Sequence, residues 1–102
     1  MEQLLEKART AMAGKRYAEP AGDSALLYYR TAMAADPGDP EASEGLARLA
    51  GVLAERFDAQ LHASQLDAAQ TTLAALKSAA PEDARGAALT ARLLAARTAS
   101  AR

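Results

Sequence analysis

The chain has 102 residues, half of them apolar but only 4% aromatic, with 12 basic against 13 acidic side chains and no cysteine. This length suits one small domain. With a net charge of −1, the chain lacks the excess of basic residues that a surface for nucleic acid or an anionic membrane needs. The lack of cysteine excludes disulfides and thiolate metal sites. No run of 18 apolar residues predicts a transmembrane segment, and the charged first ten residues do not resemble a secretion signal.

The predicted elements are all helices, because alanine supplies most of the apolar residues and loses no side-chain entropy in a helix. Apolar residues at helical spacing predict a first helix over 2–13, followed by a glycine. Residues 14–22 are predicted to be a loop, since they contain two glycines and a proline. A second helix is expected over 24–35, with Asp23 or Ser24 as its N-cap.

The run Asp-Pro-Gly-Asp-Pro at 36–40 predicts a tight corner between two helices. Pro37 lacks an N–H group and pushes the preceding residue out of the helical conformation, so the second helix should stop there. Asp39 can cap the next helix, and Pro40 can take its first position, where a missing N–H costs nothing. The third helix is therefore expected to begin at once and to run to about Ala63.

The third helix is long, and large apolar residues recur on it every three or four positions. Gly45 and Gly51 lie inside it, and we expect them to allow another helix to approach closely. The large apolar residues of this stripe are Leu46, Leu49, Leu53, Phe57 and Leu61.

Two further helices complete the predicted fold. Ser64 and Asp67 have capping-box spacing and predict a fourth helix that starts there and ends near Ser78. A closing helix is expected over 82–96, opened by the proline before it, and residues 99–102 are predicted to be a tail that leads into a linker. The apolar face of the closing helix is predicted to contain Ala88, Leu89, Leu93 and Leu94.

The sequence matches itself without a gap when it is shifted by 44 residues. A period of this kind is typical of stacked helical hairpins, each of which needs a neighbour to bury its apolar face. The matched pairs include Asp23 with Asp67, Ala25 with Ala69, Pro37 with Pro81, Asp39 with Asp83 and Arg48 with Arg92.

Residues 22–94 carry a resemblance to a known family. The small–aromatic–small–proline spacing of Ala25, Tyr29, Ala32 and Pro37 resembles the second helix of a tetratricopeptide repeat. The second copy has leucine in place of the aromatic and of one small residue. An apolar–small–small pattern similar to that family's first helix is formed by Leu46, Ala47 and Ala50.

The resemblance implies an all-α helix-hairpin array (an αα superhelix) of about five helices in one domain over 1–98. Its hairpins would cover about 2–35 and 40–79, before the closing helix. The period of 44 is longer than the roughly 34 residues of a tetratricopeptide repeat and matches armadillo or HEAT pairs better. We prefer the tetratricopeptide interpretation because of its spacing signature and the proline corner.

The resemblance also implies a function, because the first helices of such arrays line a concave face that binds a peptide or partner helix. The expected partner is a protein or peptide, with no cofactor, metal, nucleic acid or membrane insertion. The alternative for the charged side chains on this face is that they only form a solvated surface, with an ion pair between Glu44 and Arg48. The residues predicted to contact the partner are Lys7, Glu44, Arg48, Glu55 and Arg92.

The alternative function is a structural or oligomerisation domain, in which the leucine stripe of the third helix pairs with a second copy to form a homodimer. An enzyme is not expected, since the single histidine, His62, lies at a helix end without a companion base or ligand. Acidic residues at 36–44 are expected to cap a helix, since the EF-hand pattern is absent. The cysteine-free composition fits either the cytoplasm or the periplasm. We favour the cytoplasm, with the periplasm expected if the chain is part of a larger envelope protein.

Overall fold

The computed structural model describes residues 2–100, and the regular elements in that range are α-helices, as predicted. The chain divides into two compact units, the first ending at Leu49 and the second beginning at Ala50, so that the third helix contributes to both. In the first unit α1 packs against α2, and in the second α4 packs against α5. The helices are α1 (Glu2–Ala13), α2 (Ala25–Ala35), α3 (Pro40–His62), α4 (Leu66–Ala79) and α5 (Ala84–Ser100).

The corner between α2 and α3 forms as the proline pattern predicts. The Asp36 N–H donates to the Ala32 carbonyl at 2.9 Å, and the Asp39 N–H donates to the Asp36 carbonyl at 3.1 Å. The Asp39 carboxylate accepts the N–H of Ala42 at 3.0 Å, which caps the new helix. Pro40 is the first residue of α3, so its missing N–H removes no helical hydrogen bond.

The turn between α4 and α5 repeats these bonds 44 positions later. The Ala80 N–H donates to the Leu76 carbonyl at 2.9 Å, and the Asp83 N–H donates to the Ala80 carbonyl at 3.1 Å. Asp36 (φ −146°, ψ 90°) and Ala80 (φ −143°, ψ 76°) have nearly the same backbone conformation. The internal repeat in the sequence therefore corresponds to two turns of the same construction.

The α1–α2 connection, residues 14–24, begins with a left-handed turn that ends α1. Lys15 has φ 60°, its N–H donates to the Met12 carbonyl at 3.1 Å, and the Arg16 N–H donates to the Ala11 carbonyl at 2.8 Å. These two bonds are the Schellman arrangement, which satisfies carbonyls that the end of a helix leaves free.

The same connection caps the start of α2. The Ala25 N–H donates to the carbonyl of Arg16 at 2.8 Å, and the Leu26 N–H donates to that of Tyr17 at 2.9 Å. Ser24, one of the two predicted N-caps, accepts the N–H of Leu27 on its hydroxyl at 3.2 Å. The first amides of α2 therefore have acceptors that the helix itself cannot supply.

The predicted capping box at the start of α4 is wrong. Ser64 has φ 59° and ends α3, with its N–H donating to the Leu61 carbonyl at 3.0 Å. The Gln65 N–H donates to the Gln60 carbonyl at 2.8 Å, which completes a second Schellman arrangement. Because Ser64 is left-handed, it cannot have the extended backbone of an N-cap, and Gln65 takes that place without a side-chain bond.

The predicted limits of α5 also differ from the structure. The helix begins at Ala84. In the 44-residue repeat, Pro81 corresponds to Pro37, which lies inside the turn, and Ala84 corresponds to Pro40, the first residue of α3. It continues to Ser100, so the first two residues of the predicted tail are helical, and 101–102 lie outside the described residues. Two members of the predicted apolar face, Ala88 and Leu94, are exposed, since Leu89 and Leu93 occupy the buried side.

The core of the first unit contains Tyr29, whose side chain is 1% exposed. Its ring lies against Gly45 of α3, where an added Cβ would be 2.3 Å from the ring Cζ. The predicted close approach is therefore confirmed at Gly45. It is wrong at Gly51, where the nearest atom to an added Cβ is the Arg85 Nη1 at 3.8 Å. Small buried residues complete this core, namely Ala8, Ala11, Ala25, Ala32 and Ala42.

The second unit has a more conventional apolar core. Leu53, Phe57 and Leu76 are fully buried, and the buried hydroxyl of Thr72 donates to the Gln60 side chain at 2.7 Å. Of the helices between residues 2 and 100, none has both the length and the apolar character needed to cross a membrane.

Candidate functional site

Three of the five predicted partner-binding residues are exposed on α3. Glu44 and Arg48 belong to the first unit, and Glu55 belongs to the second. The side chains of these three residues form no hydrogen bond or ion pair with another described residue, so the predicted Glu44–Arg48 ion pair is absent. Such a pair gains little at a solvated helix surface, which leaves both charges available to other molecules.

The packing of α3 explains why Glu44 and Arg48 are exposed. They lie one turn apart and therefore on one side of the helix. Leu46 and Leu49, on the other side, are buried, at 8% and 0% exposure. The amphipathic period of α3 thus fixes the position of the two charges.

Lys7 is placed against α2 and not beside the α3 charges. Its Nζ lies 6.0 Å from the centre of the Tyr28 ring, a cation–π contact. Arg9, about 200° around α1 from Lys7, forms an ion pair with Glu41 at the start of α3. Lys7, one of the predicted partner-binding residues, therefore lies on the side of α1 that faces Tyr28, whereas Arg9 occupies the side that meets α3.

Asp23 connects the charges around Lys7. The Tyr28 hydroxyl donates to the Asp23 Oδ1 at 2.6 Å, and this bond raises the pKa of Tyr28. The Arg16 Nε lies 3.6 Å from the Asp23 Oδ2, which is an ion pair but too long for a hydrogen bond. A shallow pocket of about 300 Å³ here has two cationic and two acidic residues in its wall, so their charges balance.

Arg92 is held by its own unit. Its Nη1 donates to the Asp58 Oδ1 at 2.6 Å, and its guanidinium lies 5.8 Å from the centre of the Phe57 ring. Arg48, 44 positions earlier, has neither kind of contact, so the two matched arginines differ in their freedom to bind a partner. Asp58 was missing from the predicted site because it lies 34 residues from Arg92 in the sequence.

The other arginines of α5 are also engaged. The Arg85 side chain donates to both carboxylate oxygens of Asp83, and these bonds lower the pKa of Asp83 to about 2. Arg97 donates to Asp67 at 3.0 Å and to Gln70 at 2.6 Å. The α5 charges therefore mainly hold the second unit together.

His62 and the acidic residues of the α2–α3 corner contact nearby backbone groups. His62 is exposed at the end of α3, as predicted, and its Nδ1 lies 2.8 Å from the Asp58 carbonyl oxygen. Asp36 accepts the N–H of Gly38 at 3.1 Å, so Asp36 and Asp39 serve the corner. Among the described residues, no group of three His, Cys, Asp or Glu side chains could hold a metal ion.

Sequence reasoning missed two exposed leucines. Leu94 is 66% exposed and Leu27 is 38% exposed. Each follows another leucine, and because neighbouring helix residues point about 100° apart, both members of such a pair cannot face one narrow core. That spacing was the signal in the sequence that could have identified them.

Comparison with protein-family models, with curated proteins and with solved structures finds no match to this chain. The tetratricopeptide resemblance therefore stays a prediction, based on the residues that carry it.

Proposed function

We propose that this chain is a non-catalytic interaction module that binds a peptide or a partner helix through the exposed charges of α3. The observation that supports this most directly is the pair Glu44 and Arg48. Both are exposed, they lie one turn apart, and neither has a partner among residues 2–100. A ligand can engage both charges without first breaking an internal ion pair.

The chemistry of the pair defines the kind of partner. An acidic and a basic side chain on adjacent turns favour a segment that carries the opposite charges in the matching order, which fixes its direction along α3. In the resemblance stated above, α3 is a first helix, the type that lines the binding face of such arrays. Glu55 and Arg92 would contribute within the second unit, Arg92 only after leaving Asp58.

The test is affinity capture from the source organism's lysate, followed by titration of the captured protein against variants. Arg48→Glu should weaken binding at least roughly tenfold, since it replaces an attraction by a repulsion. Lys77→Glu changes the net charge equally at another exposed position and should have no effect. Equal losses for both variants, or no loss for Arg48→Glu, would contradict the proposal.

A second candidate function is self-association through α5, and Leu94 favours it. The α3 leucine stripe predicted for this role is not available, because Leu49, Leu53 and Phe57 are fully buried within the chain. Leu94 is instead exposed on an uncharged face of α5. The residues around it on this face are Ala91, Ala95, Thr98 and Ala99. Light scattering over a range of concentrations should show a dimer that Leu94→Glu abolishes, and a monomer at all concentrations would exclude this function.

A further inference from the structure

A groove in the first unit lies between the outer side of α2 and the α1–α2 connection. We call it the α2 groove, and its volume is about 400 Å³, at the small end of ligand pockets. Its wall is mainly apolar, and Leu27 is 38% exposed within it. The residues that define it are Ala18, Ala21, Leu26, Leu27, Arg30 and Ala34.

Among the polar groups of the α2 groove, the Arg30 side chain carries a charge that no described residue pairs with. The hydroxyls of Ser24 and Thr31 are engaged by the backbone of α2, since Ser24 accepts the Leu27 N–H and Thr31 donates to the Leu27 carbonyl at 2.7 Å. Arg30 is exposed, and its guanidinium forms no hydrogen bond or ion pair with any described residue. The charge of the groove wall is therefore positive and uncompensated.

The internal repeat supplies a comparison for this surface. Shifted by 44 residues, Leu26 and Leu27 correspond to Gln70 and Thr71, and Arg30 corresponds to Ala74. The α3–α4 connection has only three residues between its helices and can build no comparable wall. The leucines and the arginine thus occur only in the hairpin whose long connection forms a groove, so the repeat alone does not account for them.

We propose that the α2 groove binds a short acidic segment of a partner protein, with an apolar side chain between α2 and the connection and a carboxylate on Arg30. Charge complementarity selects this occupant, because Arg30 attracts a carboxylate and repels a basic segment. The groove shares no residue with the α3 pair, so this inference goes beyond the proposed function.

The test is a titration of the isotope-labelled full chain, followed by NMR, with two synthetic peptides. One is acetyl-Gly-Glu-Leu-Phe-Glu-Gly-amide, and the other has lysine in place of both glutamates. The acidic peptide should move the amide signals of Ala21, Leu27 and Ala34 to saturation. The lysine peptide should bind at least roughly tenfold more weakly.

Three variants make the test specific. Arg30→Glu should reverse the preference between the peptides, and Leu27→Thr, which copies the second hairpin, should weaken both. Lys77→Glu is the matched control, since it makes the same charge change at an exposed position that belongs to neither proposed surface, and it should leave the titration unchanged. Circular dichroism should show equal helix content in all variants.

Several results would overturn the proposal. They are no shift with millimolar peptide, shifts outside the α2 groove, or equal effects of Arg30→Glu and Lys77→Glu. Groove signals that move with protein concentration in the absence of peptide would assign the groove to a second copy and would also overturn it. The proposed function depends on Arg48 and this inference depends on Arg30. The failure of one can therefore be distinguished from the failure of the other.

Discussion

Replacing Gly45 by alanine should destabilise the first unit, although alanine is the better helix former. The added Cβ would lie 2.3 Å and 2.4 Å from the Cζ and Cε1 atoms of Tyr29. Ordinary contact begins at 3.4 Å, so the separation must widen by 3.4 − 2.3 = 1.1 Å. The ring is 1% exposed and cannot turn into solvent, so α2 or α3 must shift.

The magnitude follows from two opposing effects. Overpacking a core costs about 1–3 kcal/mol, and the upper end applies here because the overlap exceeds one ångström against a buried ring. Replacing glycine by alanine within a helix returns about 1 kcal/mol. We therefore expect Gly45→Ala to lower the free energy of unfolding by about 2 kcal/mol. Gly51→Ala, whose Cβ meets nothing closer than 3.8 Å, should raise it by about 1 kcal/mol.

Urea unfolding followed by circular dichroism measures both variants. A Tyr29→Leu background tests the cause, because the shorter side chain should make room and remove the penalty of Gly45→Ala. The second copy of the repeat has two apolar residues at the matching positions, since Tyr29 and Gly45 correspond to Leu73 of α4 and Leu89 of α5, both buried. If Gly45→Ala proves as stable as Gly51→Ala, the packing argument is refuted.

Three further predictions concern single interactions. The pKa of Asp83 should be about 2 in carboxyl NMR titrations and should return toward 3.8 in Arg85→Ala. Because the folded-state pKa is lowered, the contribution of the ionised Asp83 to folding stability is present above pH 3.8 and is lost as the pH falls through 2. An ordinary pKa in the unaltered chain would contradict this. Ser24→Ala should lower the free energy of unfolding by about 1 kcal/mol, because α2 loses its side-chain cap, and an unchanged thermal midpoint would argue against that role. Thr72→Val should cost about 1 kcal/mol in urea unfolding, because it removes a buried hydrogen-bond donor, whereas Thr71→Val at the exposed neighbouring position should cost less.

The corner between α2 and α3 could be predicted because its causes are local. Pro37, Asp39 and Pro40 act through their own backbones or on amides within three residues. The start of α4 could not be predicted in this way. Ser64 is as suitable for an N-cap as for other turn positions, and the way in which α3 ends decided between them.

In the candidate site, too, the features with local causes could be predicted and the contacts between helices could not. The exposure of Glu44 and Arg48 follows from the helical period of α3 alone. The positions of Lys7 and Arg92 depend on residues brought from other helices, the ring of Tyr28 and the carboxylate of Asp58. No local pattern encodes such pairs. The α2 groove is harder still, since it exists only because residues 14–24 fold back along α2.

The α1–α2 connection also determines which changes in chain length the first hairpin can absorb. Its caps for α2 come from carbonyls near its beginning, those of Arg16 and Tyr17, and from Ser24 at its end. Extra residues inserted near Gly22, which has open space around it, would lengthen a surface loop whose closure cost grows only slowly, by about 0.6 kcal/mol for each doubling. Shortening the connection to the three residues that join α3 and α4 would remove the acceptors themselves. Natural or engineered variants of this hairpin should therefore tolerate insertions in the connection far better than deletions.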